Sequence, residues 1–362
     1  MSFEDPRIEL IGSVPECEVF PPQVPMDDPN AVQFERAAGY QPPELREGYA
    51  NTRVCIAGVG GAGQFLATLV AKKGCLDIVV ADPDVVAPSN SRLPFNQRRY
   101  WGVNKAVVAA TEVAEANDST RVRVYPEGVT SENMEDFLMA GLKKGTRLVV
   151  FDGIDVSRPD VAWQLAVKTR ELVRRWDQEH KFDLGGTLTT TLDISEGGIV
   201  TTYNPRAKRY TYERVSGIKP GTTPEQLRQQ GMDLTHAVYL PRTGSLSTLL
   251  AVKDGAPMPT TEESVLVATA LGINELNRCV LYGKGTRYPE PTFAPRARYF
   301  DALTMASGET RFRKTSHYRH LMHAILRDKL GLNPETRYAL EDIDARGAYR
   351  AQYAREQVRS SE

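Results

Sequence analysis

The sequence is poor in cysteine, has no long apolar run and carries almost no net charge. Its 362 residues include four cysteines, none of them in a Cys-x-x-Cys pair, so neither a structural zinc site nor a disulfide framework is expected. No uninterrupted apolar stretch approaches the roughly 18 residues that a membrane-spanning helix requires. The net charge of −1 provides no overall field that would attract nucleic acid or an anionic membrane.

The remaining composition is that of an ordinary soluble protein with enough apolar residues for a sizeable core. Hydrophobic residues make up 41% of the chain and charged residues 25%. The first residues, Met-Ser-Phe-Glu-Asp, lack the basic start and apolar centre of a signal peptide. We therefore expect a cytoplasmic protein with no membrane partner.

The order of patterns along the chain predicts an α/β fold. Residues 1–50 are rich in proline and acids and are expected to form an N-terminal arm. In the first part of the predicted main domain, residues 51–290, β-type runs alternate with helical patterns, which favours a Rossmann-like, mostly parallel sheet with flanking helices. Residues 210–261, where glycine and proline recur, are predicted to form a long crossover loop. Residues 291–362 are expected to be a C-terminal helical extension, basic at first and then polar.

A glycine-rich turn joins the first β-type run to a helical pattern, and it contains Gly58, Gly60, Gly61 and Gly63. Glycines allow positive φ and let the backbone approach a phosphate, while the free N–H groups of a helix N-terminus point at the anion. The next β-type run ends at Asp82, 19 residues after Gly63, where a carboxylate can bind ribose hydroxyls. The pattern predicts a nucleotide site, but it does not identify the ligand, because the same fold binds NAD, FAD, S-adenosylmethionine and ATP.

Polar residues that follow this unit narrow the choice of nucleotide. They are Asn90 and Arg92 in Ser-Asn-Ser-Arg, Lys105 in Gly-Val-Asn-Lys, and the pair Asp152 and Asp155 after a later β-type run. A dehydrogenase has no use for an amide and two cations at these places. An enzyme that breaks the phosphate chain of ATP needs fixed positive charge to offset the charge that develops on the leaving group.

Together these motifs resemble the ThiF/MoeB/HesA superfamily of ubiquitin-activating-enzyme-like adenylyltransferases. The matching features, in order, are the glycine turn, an Asp-x-Asp at Asp82 and Asp84, an Asn-to-Arg run, a Gly-x-x-Lys and an Asp-x-x-Asp. The resemblance covers about residues 50–200 and extends to a helix predicted at 262–282. It implies an ATP- and Mg²⁺-dependent enzyme that activates a carboxylate, the C-terminus of a small carrier protein or peptide, as an acyl-adenylate.

The resemblance also implies roles for single residues. Asp82 would hold the ribose, with Asp84 beside it, while Asn90, Arg92 and Lys105 would bind the phosphates. Mg²⁺ would be bound by Asp155, with Asp152 as a second candidate ligand. Members of the superfamily form homodimers in which the partner supplies an N-terminal arginine, for which Arg36 and Arg46 are the candidates here.

Several residues depart from the superfamily pattern or allow another interpretation. The Asn90-to-Arg92 run is one residue shorter than usual, and Leu93-Pro94 replaces the usual glutamine. Arg92 could instead pair with Asp84, Lys105 could be a solvated surface residue, and Asp155 could cap the turn before the next helix. Asp84 could equally be structural, capping the turn before Asn90.

No cysteine suited to a thioester step is evident, since Cys279 lies in an apolar helical pattern and is expected in the core. We therefore expect the adenylate to pass directly to an acceptor. Two other functions remain open: an NAD(P)-binding oxidoreductase on the same fold, and a degenerate adaptor that binds nucleotide without turnover. The basic stretch 294–329 could contact nucleic acid, but acidic residues interrupt it, so a solvated face is favoured.

Overall fold

The fold is given by a computed structural model that describes residues 41–143, 145–155, 157–179, 186–194, 197–230, 260–286, 288–302 and 305–312. The helices are α1 (Pro43–Ala50), α2 (Gly61–Lys72), α3 (Lys105–Ala116), α4 (Met134–Met139), α5 (Pro159–Gln178), α6 (Tyr212–Val215), α7 (Pro224–Gln230) and α8 (Glu262–Leu281). The strands are β1 (Thr52–Ala57), β2 (Asp77–Ala81), β3 (Arg121–Tyr125), β4 (Arg147–Asp152), β5 (Thr187–Ile194), β6 (Gly197–Tyr203), β7 (Arg296–Asp301) and β8 (Ala306–Arg311).

These strands form one sheet in the order β3-β2-β1-β4-β5-β6-β7-β8. The first five are parallel, and β6, β7 and β8 continue the sheet in antiparallel pairs. The carboxyl ends of parallel strands meet at one edge, and in open α/β sheets ligands bind in the crevice outside that edge. The predicted Rossmann-like, mostly parallel sheet with flanking helices is thus confirmed.

Two apolar layers cover the faces of the sheet. Alternate residues of β4 divide between them: Val149 and Phe151 pack with α1, α2, α3 and α8, whereas Leu148 and Val150 pack with α4 and α5. This division follows from the two-residue period of a strand, whose neighbouring side chains point to opposite faces. Fully buried β1, with an apolar run at its centre, is typical of a strand covered on both sides.

Helix α8 lies across the sheet and against α2, which it can approach closely because of glycine. A Cβ at Gly61, in the first turn of α2, would lie 2.6 Å from Cγ2 of Val265. A Cβ at Gly272 would lie 2.7 Å from Cδ1 of Leu66, on the next turns of α2. This contact fixes the start of α2, and hence the glycine turn, relative to β5 and β6.

The structure corrects the predicted boundaries at both ends of the main domain. Residues 43–50 do not belong to an irregular arm, because they form α1 and bury Leu45 and Tyr49 in the core. Residues 296–311 are not helical, because β7 and β8 extend the sheet from β6. Most of the predicted crossover loop, the segment from 313 to 362 and Arg36 lie outside the described residues. Within the described part of the chain, no helix is both long and apolar enough to cross a membrane.

Candidate nucleotide-binding site

The turn between β1 and α2 is closed on one side and open on the other. Gly58 has a φ of +87°, and a Cβ there would collide with the carbonyl oxygen of Gly153. A Cβ at Gly63 would in turn collide with the carbonyl oxygen of Gly58. Gly60, immediately before α2, has no atom within 4 Å of its Cβ direction. The backbone therefore presents open space at the N-terminus of a helix, where an anion is favoured.

Asp82, at the end of β2, is held beside this turn by two backbone hydrogen bonds. Its carboxylate accepts from the N–H of Val59 at 2.9 Å and from the N–H of Asp84 at 2.9 Å. Burial raises the pKa of Asp82, and the nearby Lys105 ammonium opposes that shift. Each carboxylate oxygen keeps acceptor capacity, which suits hydrogen bonds from ribose hydroxyls.

Lys105 pairs with Asp84 at the start of α3. Its Nζ lies 2.8 Å from Oδ2 of Asp84, and Asp84 is two-thirds exposed whereas Lys105 is largely covered. Lys105 is therefore not a solvated surface residue. The alternative pairing of Arg92 with Asp84 is wrong among the described contacts, because Lys105 occupies that carboxylate.

The preceding residue, Asn104, was given no role by the sequence analysis. Its Oδ1 caps α3 by accepting from the N–H groups of Ala106 and Val107. Its Nδ2 contacts the carbonyl oxygens of Asp82 at 2.9 Å, Asp84 at 3.2 Å and Pro126 at 3.0 Å. One side chain thus ties the ends of β2 and β3 to the helix that carries Lys105. An Asn before a helix is a known capping signal, and it could have been identified from the sequence.

Asn90 and Arg92 lie on the loop that follows β2. The Asn90 Oδ1 accepts from the N–H of Ala87 at 3.1 Å, so Asn90 itself shapes the turn before it. The loop is attached to α2, since the buried Gln64 Oε1 accepts from the N–H of Phe95 at 3.4 Å. Arg92 is partly buried, and no carboxylate of the described residues lies within salt-bridge distance of it.

The two aspartates after β4 have different surroundings. Asp152 is buried, and its carboxylate accepts from the Ile154 N–H and the Thr190 hydroxyl, each at 3.2 Å. Burial raises the pKa of Asp152 to about 6, against the effect of those hydrogen bonds. Asp155 is exposed, and its Oδ1 accepts from the N–H of Ser157 at 2.8 Å, which matches the turn-capping alternative.

A carboxylate that the sequence analysis did not single out, Asp193, lies near both Arg92 and Asp155. Burial raises the pKa of Asp193, Arg92 lowers it and Asp155 raises it, so all three charges belong to one neighbourhood. Asp193 is the penultimate residue of β5, which extends to Ile194. The alternation of Thr189 and Thr191 gives the face on which Asp193 lies, but no local signal in the sequence shows that the strand extends this far.

The donors present fit a magnesium ion only if substrate oxygens complete its coordination. Among the described residues there is no group of three or more His, Cys, Asp or Glu side chains that could hold a metal alone. Mg²⁺ commonly uses one or two carboxylates with phosphates and water. Asp155 is exposed and is therefore available as such a carboxylate, whereas Asp152 is only 2% exposed. Arg158, the next arginine after Asp155, donates to the carboxylate of Asp160 through two contacts of 3.1 Å.

None of the cysteines in the described part of the chain is an accessible nucleophile. Cys55, Cys75 and Cys279 are all buried and unpaired. Burial raises the pKa of Cys279 to about 11, and its Sγ lies 3.7 Å from the hydroxyl oxygen of Thr189. A thiolate nucleophile needs a lowered pKa and access to solvent. The expectation that Cys279 belongs to the core is confirmed.

Comparison with known proteins gives relatives of two kinds. The chain is 30% identical over 115 residues to a tRNA threonylcarbamoyladenosine dehydratase of Escherichia coli K12. That match covers 32% of this chain and 41% of the relative, so the chain spans less than half the length of this curated relative.

Among solved structures, E. coli MccB with MccA-N7isoASN superposes with a TM-score of 0.53 at 15% identity, over 79% of this chain and 73% of MccB. PaaA superposes with a TM-score of 0.51 at 14% identity, over 78% and 73% of the two chains. At these identities the structures establish the shared fold. The ThiF family model matches residues 37–320, more than three quarters of the sequence, and includes every residue of the site described above. The chain therefore belongs to the ThiF family.

Proposed function

We propose that this protein is an ATP- and Mg²⁺-dependent adenylyltransferase that activates a carboxylate as an acyl-adenylate. Membership of the ThiF family supports adenylation in general. One observation carries the proposal. An open glycine turn, an aspartate placed to bind ribose (Asp82) and two cations (Lys105 and Arg92) lie at one edge of the sheet. In an NAD(P)-dependent oxidoreductase, Lys105, Arg92 and Asp155 would have no role in the reaction.

In the proposed reaction, a substrate carboxylate oxygen attacks the α-phosphorus of ATP while the bond to the β-phosphate oxygen breaks. Pyrophosphate leaves, and the acyl-adenylate remains. The free N–H groups around Gly60 and the N-terminus of α2 bind phosphate oxygens, and Asp82 accepts hydrogen bonds from the ribose. Lys105 and Arg92 offset the negative charge that develops on pyrophosphate, with Asn90 as a further donor.

Asp155 is the proposed Mg²⁺ ligand, and a bound Mg²⁺ would neutralise charge on the phosphates. We assign Asp152 a positioning role, because its two hydrogen bonds hold the start of the Asp152-to-Asp155 loop against β5. Asp84 is assigned the role of holding the Lys105 ammonium until ATP binds. The phosphate chain then displaces Asp84 from Lys105, because a doubly or triply charged phosphate chain competes well with one exposed carboxylate for the ammonium.

The proposed substrate is the C-terminal carboxylate of a peptide or small carrier protein. The E. coli MccB structures, which share this fold, include complexes with MccA, N-formylated MccA and ATP. We further propose that the adenylate is released directly to an acceptor, because the described cysteines are buried. The similarity to a tRNA-modifying dehydratase makes a carboxylate on tRNA the other source to be tested.

A specific observation favours a second function, a nucleotide-binding adaptor without turnover. The run from Asn90 to Arg92 is one residue shorter than in the superfamily pattern. Arg158 stands two positions earlier than the arginine that usually follows the second aspartate of that pattern, and it is bound by Asp160. Both features reduce the cations available for the leaving group. Binding of ATP without formation of any adenylate would be the signature of this function.

The test combines ATP binding with pyrophosphate exchange. Mg²⁺–ATP should raise the unfolding temperature of the protein, and NAD⁺ should not, because a ligand at about 100 times its Kd adds roughly 2.7 kcal/mol. Exchange of labelled pyrophosphate into ATP should then depend on added peptides with a free C-terminal carboxylate, and the same peptides with a C-terminal amide should be inactive.

Lys105→Ala and Asp155→Ala should each lower exchange by about 100-fold, the usual effect of removing one electrostatic stabiliser. Asp155 is exposed, and the described ion pair of Lys105 is with the exposed Asp84, so the unfolding temperature of each variant should stay within a few degrees of wild type. Asp177→Asn is the matched control, because Asp177 lies near the end of α5, away from the site, and pairs with Arg206. Exchange that survives both alanine variants would exclude the proposed roles, and NAD⁺-specific stabilisation would exclude the function.

A further inference from the structure

Asp193 has no role in the reaction as described so far, although β5 carries it to the site. The last residue of β4, Asp152, pairs with Thr190, and β5 then continues past the end of β4. Asp193 is three positions beyond that pair, which places it about 10 Å further along the strand direction. The end of β5 therefore rises beside the loop that carries Asp155.

The side chain of Asp193 lies on the same face of the sheet as the glycine turn. Its partner on β6 is Gly198, and residues directly opposite each other in an antiparallel pair share a face. A Cβ at Gly198 would lie 3.0 Å from the backbone nitrogen of Ala268, so this face is covered by α8. The first turns of α8 also contact Gly61, which connects Asp193 to the start of α2 through one helix.

Arg92 lies on the loop after β2, which is held against the start of α2 because the Gln64 Oε1 accepts from the N–H of Phe95 at 3.4 Å. The loop therefore meets the part of α2 that α8 also contacts, on the face of the sheet that carries Asp193. The positive charge of Arg92 lowers the pKa of Asp193, yet no described carboxylate lies within salt-bridge distance of its guanidinium. Lys105 differs, since Asp84 holds its ammonium at 2.8 Å. A guanidinium has five N–H donors, and a direct two-point salt bridge would use those that a phosphate needs.

We propose that Asp193 is a positioning residue, whose charge holds the Arg92 guanidinium over the phosphate site while leaving its N–H donors for ATP. This inference rests on the proposed function. Both side chains are partly buried, so their attraction is screened less than it would be in open water. A fixed cation also stabilises developing charge without reorganising at the moment of reaction. Asp193 thereby compensates for the short run between Asn90 and Arg92.

A double-mutant cycle on the full-length protein tests this inference, with Asp193→Asn, Arg92→Gln and the double variant. Calorimetry gives the Kd for ATP with Mg²⁺ and again with EDTA. Asp193→Asn should weaken ATP binding roughly fivefold under both conditions, the size of coupling found for partly exposed charge pairs. In the Arg92→Gln background the same change should have no effect or strengthen binding, because only repulsion between Asp193 and phosphate then remains. Asp193→Glu should recover part of the wild-type affinity.

Three results would overturn the inference. Tighter ATP binding by Asp193→Asn in the wild-type background would mean that Asp193 only repels phosphate. A loss seen only with Mg²⁺, and additive with Arg92→Gln, would make Asp193 a metal ligand. An unchanged Kd together with a lower unfolding temperature would make its role structural.

Asp177→Asn, a change in another Asp–Arg pair, should leave the Kd unchanged. If wild-type protein binds no ATP, the proposed function fails, whereas wild-type binding without the expected cycle rejects only the role of Asp193. If Asp193→Asn does not fold, Asp193→Ser provides the same cycle, and Asp193→Glu remains the variant that keeps the charge.

Discussion

The residue Asp152 illustrates how one buried carboxylate orders the loop that follows a strand. It accepts one hydrogen bond from its own loop, at Ile154, and one from the neighbouring strand, at Thr190. Two acceptor contacts stabilise the anion, but burial disfavours it more strongly, which is why the pKa rises to about 6. The loop carrying Asp155 is therefore anchored by a group that is partly protonated near pH 6.

This pKa predicts how stability depends on pH. The folded pKa of Asp152 lies above the unfolded value of roughly 3.9, so the folded state binds more protons between these values. The contribution of Asp152 to the free energy of unfolding is fully present below about pH 4 and is lost as pH rises through about 6. Two pKa units correspond to about 3 kcal/mol.

Urea unfolding at pH 4.5, 5.5, 6.5 and 7.5 should therefore give a steeper loss of stability for wild type than for Asp152→Asn. An asparagine at this position keeps an acceptor for Ile154 but has no charge to bury. The conservative variant Asp177→Asn should follow the wild-type curve, since Asp177 is about one-third exposed and water screens its ion pair with Arg206. Parallel curves for wild type and Asp152→Asn would show that the carboxylate is not desolvated in solution.

Single residues also show which positions can be predicted from the sequence and which cannot. The positions of Asp82 and Lys105 could be predicted because they follow from motif spacing, and the structure brings both to the same edge of the sheet. Asp193 could not, because its place depends on how far β5 extends beyond β4. That length is set by pairing with β6, a tertiary property that no local pattern encodes.

At the scale of elements, the turn between β1 and α2 has two kinds of glycine. Gly58 and Gly63 are required by the fold, since a side chain at either would meet backbone oxygen. Gly60 is not required by packing, because its Cβ direction is open, although its backbone (φ −71°, ψ −142°) is one that residues with a side chain disfavour. The open glycine is the one available for a ligand, and the closed glycines shape the turn around it.

Gly60→Ala and Gly63→Ala should therefore fail in different ways. Gly60→Ala should lower the unfolding free energy by about 1–2 kcal/mol, because alanine disfavours this backbone conformation, while its methyl group blocks the phosphate and weakens ATP binding at least tenfold. Gly63→Ala should lose about 3 kcal/mol or more, because backbone has to move. Urea unfolding and calorimetry distinguish the two. Equal ATP affinity for Gly60→Ala and wild type would show that phosphate binds elsewhere.

Elements with a clear apolar pattern could be predicted from the sequence, and those without one could not. The strands β1, β2 and β4 are short apolar runs, typical of strands covered on both faces, and α8 corresponds to the helix predicted at 262–282. The edge strand β8 has no such pattern, since Ala306–Arg311 is mostly exposed and polar. Its strand conformation comes from pairing with β7, so the basic composition of this region suggested an extension instead.

At the scale of the whole molecule, the sheet collects groups that are far apart in sequence. The ends of β1, β2, β4 and β5 supply the glycine turn, Asp82, Asp155 and Asp193, and α8 fixes β5 relative to α2. The proposed phosphate site nevertheless has few cations for a triphosphate: Lys105, Arg92 and the proposed Mg²⁺. A further arginine from a second copy of the chain would complete it, and α1, which carries Arg46, is the described element nearest the N-terminus.

A homodimer with a shared site is therefore the last prediction, and subunit mixing tests it. Light scattering should give twice the 40.2 kDa mass of the chain. Arg46→Ala and Lys105→Ala should each be inactive alone, but a mixed dimer contains one intact site, made from the Lys105 of one protomer and the Arg46 of its partner. An equimolar mixture should thus recover about a quarter of wild-type exchange, since half of the dimers are mixed. Arg36→Ala replaces Arg46→Ala in a parallel experiment. A monomeric mass, or no recovery with either arginine, would mean that each chain forms its site alone.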